Sequence, residues 1–293
     1  MLVLIIRKPT NLEHHQAMAQ KGEVPEHPDP AYLRLITQAH QEHYLCKERL
    51  LEQLKICGIQ AIEATRGEEW PRGPFDYVIS LGGDGTLITA SYGIKDATPL
   101  IGIRSSSASV GYLCAADIKT LDGLVRKMAG GTIALVERHR LEARVDHEAG
   151  GHTLSPYMAL NDFLFAASSP AATTRYQLTC DDRTETHKSS GIWIATATGS
   201  SAAIGAAGGT LMAADDRRLQ FLVRELYRGA GDDLRLRHGF TEPGRERFEI
   251  ESLCPAAILA LDGEKWMCKV SFGDRISFQS AVSVRVARAV EHE

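Results

Sequence analysis

The sequence lacks the features that mark several large classes of protein. Its 293 residues contain no CxxC pair and no HExxH spacing, which argues against a disulfide framework and against a zinc site. No apolar run is long enough to cross a membrane, and residues 1–6 are too few for a signal peptide. The formal net charge of −4 gives no electrostatic reason to bind nucleic acid or an anionic membrane. We therefore expect a cytoplasmic protein with neither partner.

The order of the predicted elements indicates two domains. In residues 1–131, apolar strand-like runs alternate with helical patterns, which predicts an α/β domain with an open, mostly parallel sheet. Residues 132–280 consist of short alternating segments separated by turns, which predicts a mostly β domain. Residues 281–293 are expected to form a C-terminal segment that returns to the first domain.

The individual elements follow from local patterns. In the first domain we predict strands at 2–7, 59–64, 75–81 and 99–103, helices at 30–56, 118–128 and directly before residue 93, and a long loop over the proline-rich residues 8–30. In the second domain we predict strands at 140–145, 157–165, 175–180, 191–196, 248–251, 257–261, 269–272, 275–278 and 282–286.

The most informative stretch is the end of the third predicted strand, where the chain reads Gly82-Gly83-Asp84-Gly85-Thr86. Glycine tolerates positive φ and lets the backbone approach a bulky anion, and free amides ahead of a helix bind phosphate. Ligands of such sheets bind beyond the carboxyl ends of the strands, where this loop lies. Asp84 would repel a phosphate unless it takes a proton from an attacking hydroxyl or helps to hold a metal ion. An ordinary tight turn has the same composition, and the stretch alone does not decide between these interpretations.

Two polar groups interrupt apolar patterns in the second domain. The first is Asn161-Asp162, and neighbours in a strand can both be engaged only near an end or a bulge. A carboxylate there can accept hydrogen bonds from paired ribose hydroxyls. The second group, residues 198–203, combines small and hydroxylated side chains, which permit close backbone approach and donate to phosphate. A solvated strand end and a closely packed helix start are the ordinary alternatives.

Together these motifs resemble those of the NAD kinase family, which combines a Gly-Gly-Asp-Gly loop with an Asn-Glu pair and a Thr-Gly-Ser loop ahead of Ala-Gly-Gly. The matching residues keep the family's order and spacing; they are 82–85, 161–162, 198–200, 207–209 and a late Asp-Gly turn within 261–263. Diacylglycerol kinases, sphingosine kinases and phosphofructokinases have a related glycine loop but lack the second group of motifs. The combination therefore favours the NAD kinase family.

Four residues depart from the commonest pattern of the family. Asp162 replaces a glutamate, Ala197 replaces a proline, Ala203 stands where most members have a tyrosine against the adenine, and Arg104 stands where an asparagine is usual. The branch that contains plant NADH kinase and animal mitochondrial NAD kinase is similar in most of these positions. The chain therefore resembles that branch, and the choice between NAD and NADH is left open.

The resemblance implies an NAD kinase-like two-domain fold and a phosphotransferase. It would transfer phosphate from ATP to the 2′-hydroxyl of the adenosine ribose of NAD or NADH, giving NADP or NADPH. No GxxxxGK[ST] loop is present, so Gly82, Gly83 and Gly85, together with Thr86, would cradle the phosphates. Mg²⁺ would arrive with ATP, and no residue is predicted to ligate a resident metal. Asp84 would act as the general base.

The resemblance also assigns the second group of motifs to the dinucleotide. Asn161 and Asp162 would hold it, and its adenine and phosphate end would be lined by Thr198, Gly199, Ser200, Ser201 and Ala203. A homo-oligomer is implied, with a homodimer favoured. Two other functions stay open: a non-catalytic dinucleotide sensor on the same fold, and a lipid kinase for diacylglycerol or sphingosine. The phosphate donor, ATP or polyphosphate, is also open.

Overall fold

The structure is a computed structural model that describes residues 1–24, 29–71, 73–227, 229 and 233–288. The chain forms two compact units: Met1–Val136 with the segment that begins at Val284, and Glu137–Ser283. The boundaries predicted after residues 131 and 280 lie a few residues before those of the two units. At the first boundary the reason is that Ile133 and Leu135 still pack on the core of the first unit. Within the described ranges, no helix is long and apolar enough to cross a membrane.

The helices and strands are numbered in chain order. The first unit contains β1 (Leu2–Arg7), α1 (Asn11–Gln20), α2 (Pro30–Ile56), β2 (Gln60–Thr65), β3 (Tyr77–Gly82), α3 (Asp84–Ser91), β4 (Leu100–Arg104), β5 (Ala116–Asp117) and α4 (Leu121–Ala129). After it come β6 (Leu135–Asp146), β7 (His152–Leu154), β8 (Asp162–Ala167), β9 (Thr174–Cys180), β10 (Arg183–Ser189), β11 (Gly191–Ala195), a 3₁₀ turn (Gly199–Ser201), α5 (Ala203–Ala206), β12 (Leu219–Arg224), β13 (His238–Thr241), β14 (Phe248–Ser252), β15 (Ala257–Leu261), β16 (Trp266–Val270) and β17 (Arg275–Ala287).

The first unit is built on a parallel sheet in the order β2-β1-β3-β4, as predicted. The end of β17 joins the far side of β4, where Val286 pairs in parallel with Leu100. The chain runs outward from β1 to β2 and then returns past β1 to β3, so the strand order reverses between β1 and β3. In open α/β sheets, ligands bind in the crevice outside the carboxyl ends of the strands at this reversal.

Helices cover both faces of this sheet. Alternate strand residues such as Val3, Ile5 and Ile79 form one buried cluster with α2 and α4. On the opposite face α3 packs so closely that a Cβ on Gly102 of β4 would lie 2.7 Å from Leu87 Cδ1. The short α3 therefore begins directly at the carboxyl end of β3 and is held by the core.

Helix α1 shows that the prediction of a loop over residues 8–30 is wrong. Thr10 caps the helix: its Oγ1 accepts from Glu13 N at 3.3 Å, and Glu13 Oε2 accepts from Thr10 N at 2.6 Å. This reciprocal capping box supplies partners for the first orphan amides. The Thr-x-x-Glu signal is present in the sequence, but no residue of α1 is buried, so no apolar stripe accompanies it. Residues 25–28 of the predicted loop lie outside the described residues.

The second unit is mostly antiparallel β-structure, as predicted. One sheet has the order β13-β12-β11-β8-β15-β16. The other contains β10-β9-β14-β17, and β6 joins it beside β17. Aromatic rings from the two sheets meet in pairs with centroids 5.1 to 5.7 Å apart: Phe163 with Phe278, Phe165 with Tyr176, and Phe221 with Phe248. The two sheets therefore enclose a single aromatic core.

Several strand predictions in this unit need correction. The strand predicted at 269–272 is β16, which begins three residues earlier, at Trp266, and ends at Val270. The predicted strand 157–165 begins only at Asp162, because the preceding backbone amides are bound by side chains of other segments. The predicted strands 275–278 and 282–286 are one strand, β17, since no glycine or proline interrupts them. The patterns also fail to predict β7, β10, β12 and β13.

The helix α2 supplies a test of the first core. Leu50 is fully buried in the cluster, whereas Leu35 of the same helix is 59% exposed. Leu50→Ala is expected to lower the free energy of unfolding by about 2–5 kcal/mol, because it leaves a cavity. Leu35→Ala is the matched control and is expected to change it by less than about 1 kcal/mol. Urea unfolding of both variants measures the difference, and equal losses would contradict the packing of α2 on the sheet.

Candidate active site

The glycine-rich loop lies between β3 and α3, at the reversal of the strand order. Gly82, Gly83 and Gly85 do not adopt positive φ, so the conformational reason expected for them is wrong. Space explains two of them: a Cβ on Gly82 would overlap Thr86 Oγ1, and one on Gly83 would lie 2.8 Å from Ser109 Cβ. A Cβ on Gly85 would meet no described atom within 4 Å. Neither backbone nor packing requires Gly85, and the space beside it is open to a ligand.

Asp84 is the first residue of α3, and both oxygens of its carboxylate accept backbone hydrogen bonds. Oδ1 accepts from Leu113 N at 2.7 Å, and Oδ2 accepts from Tyr112 N at 3.0 Å. These bonds fix the side chain and attach the glycine loop to a second loop of the first unit. Each carboxylate oxygen can accept a further hydrogen bond, so Asp84 keeps acceptor positions for a ligand. Nearby, Thr86 Oγ1 is buried and has no hydrogen-bond partner among the described residues.

Lys8 follows β1 on the other side of the reversal and was not singled out in the sequence. Its backbone N–H donates to Leu81 O at 3.4 Å, directly before the glycine loop. Alternation along β1 places Lys8 on the same face as Leu4 and Ile6, the face that α3 covers. Burial, and then the charge of Arg66, lower the pKa of its ammonium. Lys8 makes no ion pair within the described ranges and is therefore a cation available to an anionic ligand.

Arg104, the replacement for the family's usual asparagine, is held at the end of β4. Its guanidinium pairs with Asp117 at 3.1 Å, and its side chain fills the space beside Gly111. A pocket of about 300 Å³ opens next to it, and Leu45 and Ile118 form its apolar part. The charge of Arg104 is therefore partly neutralised within the fold.

In the second unit, Asp262 binds the backbone that precedes β8. Its Oδ1 accepts from Asn161 N at 2.8 Å and from Asp162 N at 2.9 Å, and its Oδ2 accepts from Leu160 N at 3.0 Å. In return, Asp262 N donates to Asp162 O at 2.9 Å. The Asn161-Asp162 pair therefore lies at a strand end whose conformation is fixed by one side chain.

Thr196, directly after β11, holds the carbonyl groups of the same segment. Thr196 Oγ1 donates to Leu160 O at 2.5 Å, and Thr196 N donates to Asn161 O at 2.8 Å. Gly199 lies so close that a Cβ there would overlap Asn161 O. The structure thus brings the Asn161-Asp162 pair and the Thr198-Gly199 loop together. Thr198 Oγ1 is buried and has no hydrogen-bond partner in the part of the chain that is described.

Asp162 has the electrostatics of a ligand-binding carboxyl group. Its side chain is only 5% exposed, and burial followed by the charge of Asp262 raises its pKa to about 7. No hydrogen bond to its carboxyl oxygens occurs among the described residues. An unpartnered buried carboxyl beside a second carboxylate is unfavourable for folding, and such groups cluster at functional sites.

The remaining predicted residues differ in what they can offer a ligand. Ser200 Oγ is engaged within the fold, since it donates to Ala197 O at 2.7 Å and accepts from Met212 N at 3.0 Å. Ser201 is exposed, and its hydroxyl makes only a long bond of 3.4 Å to Thr198 O. Ala203 begins α5 and is partly exposed. Of the hydroxyl groups in this loop, that of Thr198 is the one left without a partner.

No protein-family model matches the chain. Its similarity to individual proteins is nevertheless extensive. The NADH kinase of Arabidopsis thaliana is 30% identical over 266 residues, which cover 79% of this chain and 80% of that protein. The chain belongs to the NAD kinase family. A probable NADH kinase of Oryza sativa subsp. japonica is 29% identical over 227 residues, covering 70% of this chain and 68% of the rice protein.

Solved structures of NAD kinases share the fold. The yeast NADH kinase complexed with NADH has a TM-score of 0.73 at 15% identity, covering 100% of this chain and 84% of the yeast chain. An NAD kinase from Archaeoglobus fulgidus in complex with ATP has a TM-score of 0.65 at 16% identity, covering 98% and 94% of the two chains. The predicted NAD kinase-like fold is therefore confirmed.

The raised pKa of Asp162 predicts a gain in stability on its removal. The unfolded chain ionises this group near its ordinary pKa of 3.8, but the folded chain does so only near 7, so folding is opposed increasingly as the pH rises between these values. Asp162→Asn is therefore expected to raise the free energy of unfolding at pH 8.5 by on the order of 2–4 kcal/mol, and by only about 1–2 kcal/mol at pH 5, where the penalty is partly developed.

Chemical denaturation at the two pH values measures this effect. Asp274→Asn is the control, because Asp274 is also a buried aspartate of the second unit but accepts from Ser271 N and Glu148 N. It is expected to lower the stability at pH 8.5. A loss of stability in both variants at pH 8.5 would show that the Asp162 carboxyl is not held unfavourably.

Proposed function

We propose that the chain is an NAD(H) kinase that transfers the γ-phosphate of ATP to the 2′-hydroxyl of the adenosine ribose of NAD or NADH. The product is NADP or NADPH. Membership of the NAD kinase family supports this activity, as do relatives named NADH kinase at about 30% identity. The structural neighbours in complex with NADH and with ATP support both ligand classes.

One observation carries the proposal: the buried Asp162 carboxyl has no partner within the described fold. A carboxylate accepts two hydrogen bonds from a pair of vicinal hydroxyls, which is what a ribose offers. The Thr198 hydroxyl, which also has no partner among the described residues, lies in the loop that packs against Asn161 through Gly199. A ligand with ribose hydroxyls and further polar groups satisfies both. We assign Asn161, Asp162, Thr198 and the backbone at Gly199 to the dinucleotide.

The triphosphate is assigned to the glycine loop of the first unit. Amides at the start of α3 favour an anion, and the open space at Gly85 allows close approach. Lys8 supplies a positive charge next to this loop, which phosphoryl transfer needs for charge neutralisation. In the described ranges, no group of three or more His, Cys, Asp or Glu side chains is arranged to hold a metal. Mg²⁺ is assigned to ATP as part of the substrate, because it is commonly bound through substrate phosphates.

Asp84 is assigned the role of general base, which accepts the proton of the 2′-hydroxyl. The 2′-oxygen forms a bond to the γ-phosphorus while the bond to the β,γ-bridging oxygen breaks, ADP leaves, and Asp84 accepts the hydroxyl proton. Two hydrogen bonds from backbone amides hold the Asp84 carboxylate in place, so it needs no reorganisation when it accepts the proton. A cytoplasmic location and a homodimer belong to the proposal as well, carried over from the family resemblance and the sequence composition.

The activity itself is the first test. The purified chain with ATP and Mg²⁺ is expected to phosphorylate NAD or NADH, with the product identified by mass spectrometry. Parallel reactions replace ATP with polyphosphate and the dinucleotide with diacylglycerol or sphingosine. Dinucleotide binding without turnover would indicate a sensor, and a phosphorylated lipid would indicate a lipid kinase. Either result would overturn the proposed reaction.

The role of Asp84 is tested by Asp84→Asn. The amide keeps the shape of the side chain but is not a base, so kcat is expected to fall by about 100-fold or more while the fold is retained. Asp122→Asn, which removes a surface ion pair with Arg49, is the control and is expected to keep normal turnover. Normal turnover in a folded Asp84→Asn enzyme would exclude Asp84 as the base.

The glycine loop offers a matched pair of variants. Gly85→Ala is expected to fold normally because its Cβ meets no described atom, but to raise the KM for ATP by about tenfold or more if phosphate occupies that space. Gly82→Ala is expected to lower the thermal stability, since its Cβ overlaps the side chain of Thr86. Thermal unfolding and ATP kinetics of both variants separate the two effects. An unchanged KM in Gly85→Ala would place the phosphates elsewhere.

A further inference from the structure

Asp262, which was not among the predicted site residues, forms hydrogen bonds with residues 160–162, the segment that contains Asn161 and Asp162. Its carboxylate accepts from the three consecutive amides of residues 160, 161 and 162 at 2.8 to 3.0 Å. Because β8 begins only at Asp162, these amides have no strand partner, and Asp262 takes the place of the sheet. Without it, three N–H groups in a largely buried segment lose their acceptor, which is unfavourable.

The backbone of Asp262 itself is held in an unusual conformation. Its φ is +45°, a backbone conformation that residues other than glycine seldom adopt. It shares this property with only two other non-glycine residues in the described ranges, Asp181 and Glu225. The turn follows β15, whose last residue Leu261 pairs with Phe163 of β8. The register of the two strands therefore brings the Asp262 carboxylate opposite the start of β8.

The same arrangement places two carboxyl groups side by side. Asp262, directly after β15, is the one charged group of the described residues that raises the pKa of Asp162. On its other side β11 presents Ala195, its strand partner, and then Thr196, both uncharged. Asp162 therefore changes its protonation near neutral pH, where the pKa of about 7 places it.

We propose that Asp262 is a positioning residue of the dinucleotide site, which holds the backbone of residues 160–162 so that the Asp162 carboxyl is presented to the ribose and makes dinucleotide binding depend on pH. This rests on the proposed function, in which Asp162 accepts hydrogen bonds from ribose hydroxyls. Asp262 does not touch the ligand in this scheme. It acts through three amides and through its charge.

The direction of the pH dependence follows from the charges. The ionised Asp162 accepts two hydroxyl hydrogen bonds, whereas the protonated form has one acceptor position fewer and competes with its own proton. Dinucleotide affinity is therefore expected to increase as the pH rises through about 7 and to level off above it. Removing the charge of Asp262 removes the repulsion, lowers the pKa of Asp162 and moves this increase to lower pH.

The test compares wild type, Asp262→Asn and the control Asp274→Asn between pH 5.5 and 8.5. Calorimetry measures the Kd for NAD and NADH, and ¹³C NMR of the Asp162 carboxyl measures its titration without ligand. In Asp262→Asn both midpoints are expected to move down by about one pH unit. At pH 8 its Kd for the dinucleotide is expected to rise about tenfold, since Oδ2 becomes an amide that cannot accept from Leu160 N. The KM for ATP stays unchanged, and Asp274→Asn shows none of these effects.

The outcomes separate this proposal from the proposed kinase activity. Wild-type binding of NAD without phosphorylation would refute the kinase, whereas the shifted midpoint and weaker binding of Asp262→Asn would still support the role of Asp262. An Asp162 midpoint that is the same in wild type and Asp262→Asn would overturn the role. A shifted midpoint with unchanged NAD and NADH affinity would overturn it as well, because a positioning residue must affect the ligand.

Discussion

Two of the loops on which this site depends are each fixed by a carboxylate that accepts hydrogen bonds from backbone N–H groups. Loops at strand ends leave amides that neither a helix nor a sheet can pair, and a buried amide without an acceptor destabilises the fold. Asp84 binds two such amides beside the glycine loop, and Asp262 binds three ahead of β8. Glu42 and Glu185 do the same for residues 107 and 235–236, away from these two positions. Short side chains on rigid elements thus give irregular backbone a single conformation.

The sequence predicted the parts of this protein that depend on local patterns. The helix over residues 30–56 is confirmed to the residue, because Pro30 gives a clear start and Gly58 a clear end, with part of an apolar stripe between them. The parallel sheet is confirmed, since buried parallel strands are continuous apolar runs. The glycine loop was recognised from its composition, although the reason for two of its glycines proved to be close packing rather than positive φ.

Other parts depend on contacts between distant residues, which no local pattern carries. The edge strand β10 escaped prediction because the side chains that it buries are Glu185, His187 and Ser189, so its alternation is polar on both faces. The role of Asp262 is equally invisible, since its partners lie about 100 residues away. Lys8 gave the weaker signal of a single lysine at a strand end, and only the strand order shows that this end adjoins the glycine loop.

The pairing of Val286 with Leu100 has a consequence for how the chain reaches its fold. The first unit begins at residue 1 but needs residues from the last tenth of the sequence beside β4, while the whole of Glu137–Ser283 is inserted between them. During synthesis the edge of β4 therefore stays incompletely covered until residues beyond Ser283 have left the ribosome. The inserted unit, whose residues are continuous, can complete its own core earlier. Order of emergence and order of completion are thus opposite for the two units.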